Sequence, residues 1–233
     1  MAIHDVQNRI KQYFPEWHTQ SEQYKDTVRK HVTPDSVILD IGCGRTDYMV
    51  DVYQQAAKVI GQDPDEKAIL EHPYLHQRII GDFDALTSLP DESVDIILSA
   101  WTLEHLSNPD KLFTQVNRLL KKGGVFISLT PNKFGLPSLI SMLIPNRYHP
   151  AIVKKMWGRS EENTYPTFYK LNSTSQIKKF CDKYNLVLDD IDLLKDASYY
   201  VRNIDHVKGI YRIHQQLLPS RLSEGMLVII KKP

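Results

Sequence analysis

The run Val37-Ile38-Leu39-Asp40-Ile41-Gly42-Cys43-Gly44 constrains this chain more than any other stretch. Aliphatics leading into an acid, then two glycines around one small residue, read as a buried parallel strand closing in a tight turn. Glycine suits such a turn because a Cβ would block either the backbone geometry or the approach of a ligand. Tyr48 to Tyr53 follow with the pattern of a helix returning over the sheet. Strand, glycine turn and helix in this order predict an α/β fold that holds a nucleotide-like ligand.

The turn also restricts that ligand. A dinucleotide fingerprint places a third glycine where the helix packs on the strand, and this chain has Asp47 in that slot. An acid at a helix N-terminus suits the helix dipole but repels a pyrophosphate. The Lys-Ser/Thr pair of a phosphate-cradling loop does not follow Gly44 either. Phosphate is therefore disfavoured here.

Further short aliphatic runs alternate with helical patterns, the signature of β and α units around a parallel sheet. They predict strands at Val37–Ile41, Lys58–Gln62, Arg78–Ile80, Val94–Leu98, Val125–Leu129, Leu186–Ile191 and Met226–Ile230. Asn108 and Pro109 predict the start of a helix whose apolar face is Leu112, Phe113, Val116, Leu119 and Leu120, stopped at Gly123-Gly124. Ser173 to Tyr184 predicts another helix, with Ile177, Phe180 and Cys181 inward, and a further one lies around Val207–Leu217. Two regions depart from the pattern. Residues 1–36 read as a helical, aromatic-bearing cap. Residues 131–171 read as a long insertion rich in Pro, Asn and aromatics, which in a compact domain signals a lid or binding loop. The whole is predicted to be one Rossmann-like, doubly wound domain over 1–233, with a mostly parallel seven-stranded sheet.

With 29 basic and 28 acidic side chains mixed along 233 residues, the net charge is +1 and no basic stripe marks a nucleic-acid surface. The apolar stretch Leu136 to Ile144 is too short for a membrane span. The N-terminus lacks a charged-then-apolar signal pattern. Cys43 sits in the glycine turn and Cys181 in a helix, which argues against a disulfide framework and for a reducing, cytoplasmic location.

Three more strand ends carry chemistry. Gly61-Gln62-Asp63-Pro64 closes the second strand 23 positions after Asp40 (63 − 40), where a carboxylate can accept both ribose hydroxyls of an adenosyl group. Asp63-Pro64 also suits a plain turn. Gly81-Asp82-Phe83 closes the third, where Asp82 can accept adenine amino hydrogens and the Phe83 N–H can donate to the ring, or Asp82 can simply form an Asx turn. Ser99-Ala100-Trp101-Thr102-Leu103-Glu104-His105-Leu106 follows the fourth and faces both cofactor and acceptor.

From about Val37 to Asn132, and more weakly through Tyr165–Leu188, the chain resembles the class I S-adenosylmethionine-dependent methyltransferases of the small-molecule group. The resemblance implies that Asp40, Gly42, Cys43 and Gly44 wrap the methionine part of S-adenosyl-L-methionine. It places Asp63 and Pro64 at the ribose, Gly81, Asp82 and Phe83 at the adenine, and the backbone of Ser99, Ala100 and Trp101 under the sulfonium. The family usually has a small residue two past Gly44, where this chain has Thr46, narrowing or reshaping the cofactor mouth. His105 is the candidate general base, or else orients the loop without moving a proton. Trp17, Tyr24, His149, Tyr165 and Tyr169 are the candidate contacts to a small-molecule acceptor. The implied reaction is in-line transfer of a methyl to an oxygen or nitrogen, with no metal, nucleic-acid or membrane-span requirement. A nicotinamide-dependent oxidoreductase and a non-catalytic S-adenosylmethionine-binding protein are the competing readings.

Overall fold

The computed structural model describes residues 3–143, 165–196, 198 and 207–233. The aliphatic runs form strands β1 (Val37–Ile41), β2 (Lys58–Asp63), β3 (Gln77–Ile80), β4 (Val94–Ala100), β5 (Leu120–Pro131), β6 (Val187–Leu194) and β7 (Gly225–Lys231). They pair in one sheet of order β3-β2-β1-β4-β5-β7-β6. β1 to β5 run parallel, and β7 lies antiparallel between β5 and β6. The chain winds outward from β1 in one direction and from β4 in the other. Their carboxyl ends therefore part at a switch point, where open α/β sheets hold ligands.

Both sheet faces are covered, which explains why the parallel strands read as unbroken aliphatic runs. On one face Leu39, Ile41 and Phe126 pack with Leu112, Phe113 and Val116 of helix α5 (Pro109–Leu119) and Ile177 and Cys181 of α7 (Thr174–Lys183). On the other, Ile38, Val59 and Ile96 pack with Tyr24 and Val28 of α2 (Gln20–Arg29) and Val52 of the single-turn α3 (Val50–Tyr53). Local capping fixes the starts. Thr19 and Glu22 form a reciprocal capping box on α2, Asn108 caps α5 ahead of Pro109, and Ser173 caps α7. Phe180 is half-buried and stacks on Phe113, with ring centroids 5.1 Å apart.

The boundary between the fifth helix and the strand after it moves furthest, while β6 runs to Leu194 and β4 to Ala100. Helix α5 ends at Leu119 and β5 begins at Leu120, so Gly123-Gly124 lie inside the strand and do not stop the helix. Val94 pairs with Leu120 but Ile96 with Val125, so residues 121–124 bulge out of the ladder. Gly123 there has φ +78°, and a Cβ on Gly124 would sit 2.9 Å from the Asp95 and Lys121 carbonyl oxygens. The bulge is tied down by Gly123 N–H to the Lys232 carbonyl and Lys232 N–H to the Gly124 carbonyl. These glycines serve a bulge.

At the N-terminus, α1 (Ile3–Tyr13) packs against α8 (Val207–Leu217). Val6, Ile10 and Trp17 form a small core there, beside a Phe14–Tyr211 stack of 4.0 Å. After β2 comes the short α4 (Glu66–Leu70), and after β5 comes α6 (Leu136–Leu143). Among the described residues no helix is long and apolar enough to cross a membrane. Of the expected insertion 131–171, residues 144–164 lie outside the described residues.

Candidate functional site

The carboxyl ends of β1, β2 and β4, with the segment after β3, line a cleft of about 420 Å³. That volume lies within the roughly 300–1,000 Å³ usual for small-molecule sites. A second hollow of about 150 Å³ adjoins it, and Gly42, Gly44 and Trp101 line both.

The glycine turn is shaped by contacts from two directions. Gly42 has φ +68°, and a Cβ there would overlap Thr102 Oγ1 and lie 2.9 Å from its Cγ2. Gly44 has φ +56°, but a Cβ there would meet nothing within 4 Å, because the position opens onto the cleft. The Gly42 and Cys43 N–H groups bond the Gln62 carbonyl at 2.8 and 3.2 Å, joining the turn to the end of β2.

Asp63 is the best-defined group in the cleft. It is 8% exposed, its Oδ2 accepts the Gly44 N–H at 2.8 Å and its Oδ1 accepts the Asp65 N–H at 2.8 Å. Burial raises its pKa while those two N–H bonds pull it back. Each oxygen holds one backbone donor and keeps acceptor capacity for a ligand. Asp65 and Asp82 also line the cleft, as does Arg45, which pairs with Glu71 at 2.9 Å. Three acids against one paired base favour a cationic ligand over a phosphate.

Asp40 faces the smaller hollow. Burial lifts its carboxyl to about 7, opposed by a 2.5 Å bond from the Tyr53 hydroxyl and helped by the charge of Asp63. Cys43, Ala100 and Tyr24 line the same hollow, Tyr24 being 2% exposed. Trp101 follows β4 in the left-handed region at φ +57°, held by its N–H to the Leu129 carbonyl at 2.8 Å. Such a conformation in a bulky residue is locally strained and aims the backbone at the junction of the two hollows.

His105 lines the cleft, and its Nδ1 lies 2.9 Å from the Pro166 carbonyl. A carbonyl only accepts, so Nδ1 carries the hydrogen. Nε2 lies 3.8 Å from Oε1 of Glu104, which is 5% exposed and whose pKa burial raises against the opposing effect of His105. Both ring nitrogens thus have protein oxygens close by. Tyr165 packs edge-on to His105 at 5.8 Å, and together with Pro166 and Phe168 it walls the cleft.

Several expected contacts fall elsewhere among the described residues. Trp17 is 6% exposed inside the N-terminal core and lines neither hollow, because amphipathic α1 needs an apolar partner. Tyr169 is 8% exposed with φ +50° and turns into the core, leaving the wall to Tyr165 and Phe168. Ser99 is fully buried within β4, and Gly81, whose N–H bonds the Asp63 carbonyl, does not line the cleft. The Phe83 N–H is given to Oδ1 of the adjoining Asp82 at 2.8 Å, which uses the donor expected at the adenine. Pro64 and Phe83 do line the cleft, as does Asp82, whose other oxygen lies 3.4 Å from Lys111 Nζ. His149 lies outside the described residues. Thr102 and Asp65 were missed: the first touches Gly42 from 60 positions away, a pairing no local pattern displays.

A family model described as a methyltransferase domain matches residues 39–128. A probable S-adenosylmethionine-dependent methyltransferase of Mycolicibacterium smegmatis is 34% identical over 101 residues, 41% of this chain and 38% of that protein. A ubiquinone biosynthesis O-methyltransferase of Agrobacterium fabrum is 34% identical over 103 residues, 41% of each. A demethylmenaquinone methyltransferase of Symbiobacterium thermophilum is 26% identical over 143 residues, 56% of this chain and 55% of that one. The matches therefore span between about two fifths and just over half the length of these relatives. Among solved structures, a SAM-dependent methyltransferase from Archaeoglobus fulgidus superposes with TM-score 0.58 at 20% identity, covering 92% of this chain and 95% of that chain. Geranyl diphosphate C-methyltransferase from Streptomyces coelicolor, complexed with Mg2+, geranyl diphosphate and S-adenosyl-L-homocysteine, gives 0.59 at 16% identity, covering 91% and 81%. These likenesses show a Rossmann-like methyltransferase fold.

Proposed function

We propose that this chain, whose residues 39–128 match a methyltransferase-domain model, is a class I S-adenosylmethionine-dependent methyltransferase that moves a methyl group from S-adenosylmethionine to an oxygen or nitrogen of a small-molecule acceptor. The observation that carries this reading is Asp63. Backbone bonds from Gly44 and Asp65 fix its carboxylate in the cleft at the end of β2, with acceptor capacity left on each oxygen that suits a diol. The acidic lining by Asp63, Asp65 and Asp82 fits a ligand bearing a sulfonium and an ammonium, and opposes the pyrophosphate of a nicotinamide dinucleotide. Asp40 in the adjoining hollow suits the ammonium end, with Gly42 and Gly44 leaving room for the tail.

When bound, S-adenosylmethionine supplies a methyl already activated by its sulfonium. The chain's own part is alignment and exclusion of water, which can be worth about 7–11 kcal/mol, more than the 10²–10⁴-fold of one positioned base. Trp101, Leu106, Tyr165 and Phe168 present an apolar wall suited to a flat acceptor. Relatives named for ubiquinone and demethylmenaquinone methylation support an acceptor of that shape. His105 acts as an orienting group, holding the Pro166 carbonyl and with it the aromatic wall. On this reading residues 1–36 are the expected cap and 131–171 the expected lid, of which 144–164 lie outside the described residues and Tyr165, Pro166 and Phe168 wall the cleft.

Thermal scanning of the full chain tests this reading. A melting shift with S-adenosylhomocysteine and none with NADH supports it. A shift with NADH alone replaces it with the oxidoreductase.

A further inference from the structure

The aromatic segment Tyr165–Tyr169 is fastened at its base by residues that follow β4. The Phe168 and Tyr169 N–H groups reach the Glu104 carbonyl at 2.7 and 3.3 Å, and His105 Nδ1 reaches the Pro166 carbonyl at 2.9 Å. Its leading end reaches the other side of the cleft, where the Tyr165 hydroxyl donates to Asp65 Oδ2 at 3.2 Å. Asp65 follows β2, and β1 lies between β2 and β4 in the sheet. The segment therefore crosses above the Gly42–Gly44 turn.

Asp65 is prepared as an acceptor. Its Oδ1 caps α4 through the Ala68 N–H at 3.0 Å, which fixes the carboxylate. That bond, with a smaller part from Tyr165, holds its pKa below the ordinary carboxylate range. Desolvation, followed by the charge of Asp65, raises Tyr165 above the ordinary phenol value, so it keeps its proton. Tyr165 is 48% exposed and Asp65 half-buried, so their bond can open without disturbing the core.

We propose that Tyr165 and Asp65 form a latch across the cofactor end of the cleft, and that their hydrogen bond makes them positioning residues which retain the adenosyl ligand. This rests on the reading that the cleft takes S-adenosylmethionine. Both side chains line the cleft that Asp63 lines, so their bond spans space next to a ligand seated on Asp63.

The test is the dissociation rate of S-adenosylhomocysteine from the full chain, measured by stopped flow for wild type, Tyr165→Phe, Asp65→Asn and the double variant. Phenylalanine keeps the ring, and asparagine keeps a cap on α4. Each single variant is expected to release the ligand about three- to tenfold faster, the range set by losing one hydrogen bond. The double variant should match either single, because both break the same contact. Melting temperatures should stay near wild type. A single variant that releases at the wild-type rate, or a double variant in which the two effects multiply, overturns the latch alone. Wild type that binds no S-adenosylhomocysteine overturns the methyltransferase reading, and the latch with it.

Discussion

Gly42→Ala and Gly44→Ala should fail in different ways although the two glycines sit two positions apart with similar φ. Alanine in the left-handed region costs about 1–2 kcal/mol, partly offset by the roughly 0.4–1 kcal/mol gained from a stiffer unfolded chain. At Gly44 little else changes, since a Cβ there meets nothing within 4 Å. At Gly42 the Cβ overlaps Thr102, adding an overpacking cost of about 1–3 kcal/mol. Urea unfolding should therefore rank Gly44→Ala within about 1.5 kcal/mol of wild type and Gly42→Ala about 1–3 kcal/mol below it. Thr102→Ala in the Gly42→Ala background should recover most of that difference. Ligand affinity should run the other way, because a Cβ on Gly44 projects into space shared by both hollows. Equal stabilities for the two alanine variants, or no recovery with Thr102→Ala, would refute the steric reasoning.

Asp40→Asn tests the buried carboxyl. Burial raises its folded pKa to about 7, above the ordinary carboxylate range, so the native state keeps a proton that the unfolded chain releases; Asp40's own contribution to stability is full in acid, below the ordinary carboxylate range, and is lost as pH rises to about 7. The variant should match wild type in acid and exceed it by up to about 4 kcal/mol above pH 7, read from urea titrations at several pH values. His105→Ala should lower kcat/KM by about tenfold, with His105→Asn restoring part of it through a replacement donor; a loss beyond about a thousandfold, with folding intact, identifies a base instead. Trp17→Ala should cost about 3–5 kcal/mol of stability in denaturant, since it empties the N-terminal core, while leaving S-adenosylhomocysteine affinity unchanged.

The strands and capped helices were legible because their signals are local. Aliphatic runs mark strands covered on both faces, and the helices that start at Asn108 and Ser173 are capped by adjoining residues. Gly123-Gly124 misled for the same reason: glycines after an apolar face look alike whether they end a helix or shape a bulge, and only pairing with Asp95 and Lys232 decides. Asp63 was readable from its distance to the glycine turn, but its two backbone donors were not. Aromatic residues were the least legible part. Trp17, Tyr165, Phe168 and Tyr169 offer similar apolar surface, and only backbone direction, such as the φ of +50° at Tyr169, separates core from wall. Thr102 carried no signal beside its own neighbours.

The central claim is that Asp63, locked by the Gly44 and Asp65 amides, holds an adenosyl ligand. Isothermal calorimetry of S-adenosylhomocysteine with the full chain, wild type against Asp63→Ala, tests it most directly. The account predicts binding by wild type and a loss of at least tenfold in the variant with the fold retained. Equal affinity in both proteins, or heat from neither, would contradict it.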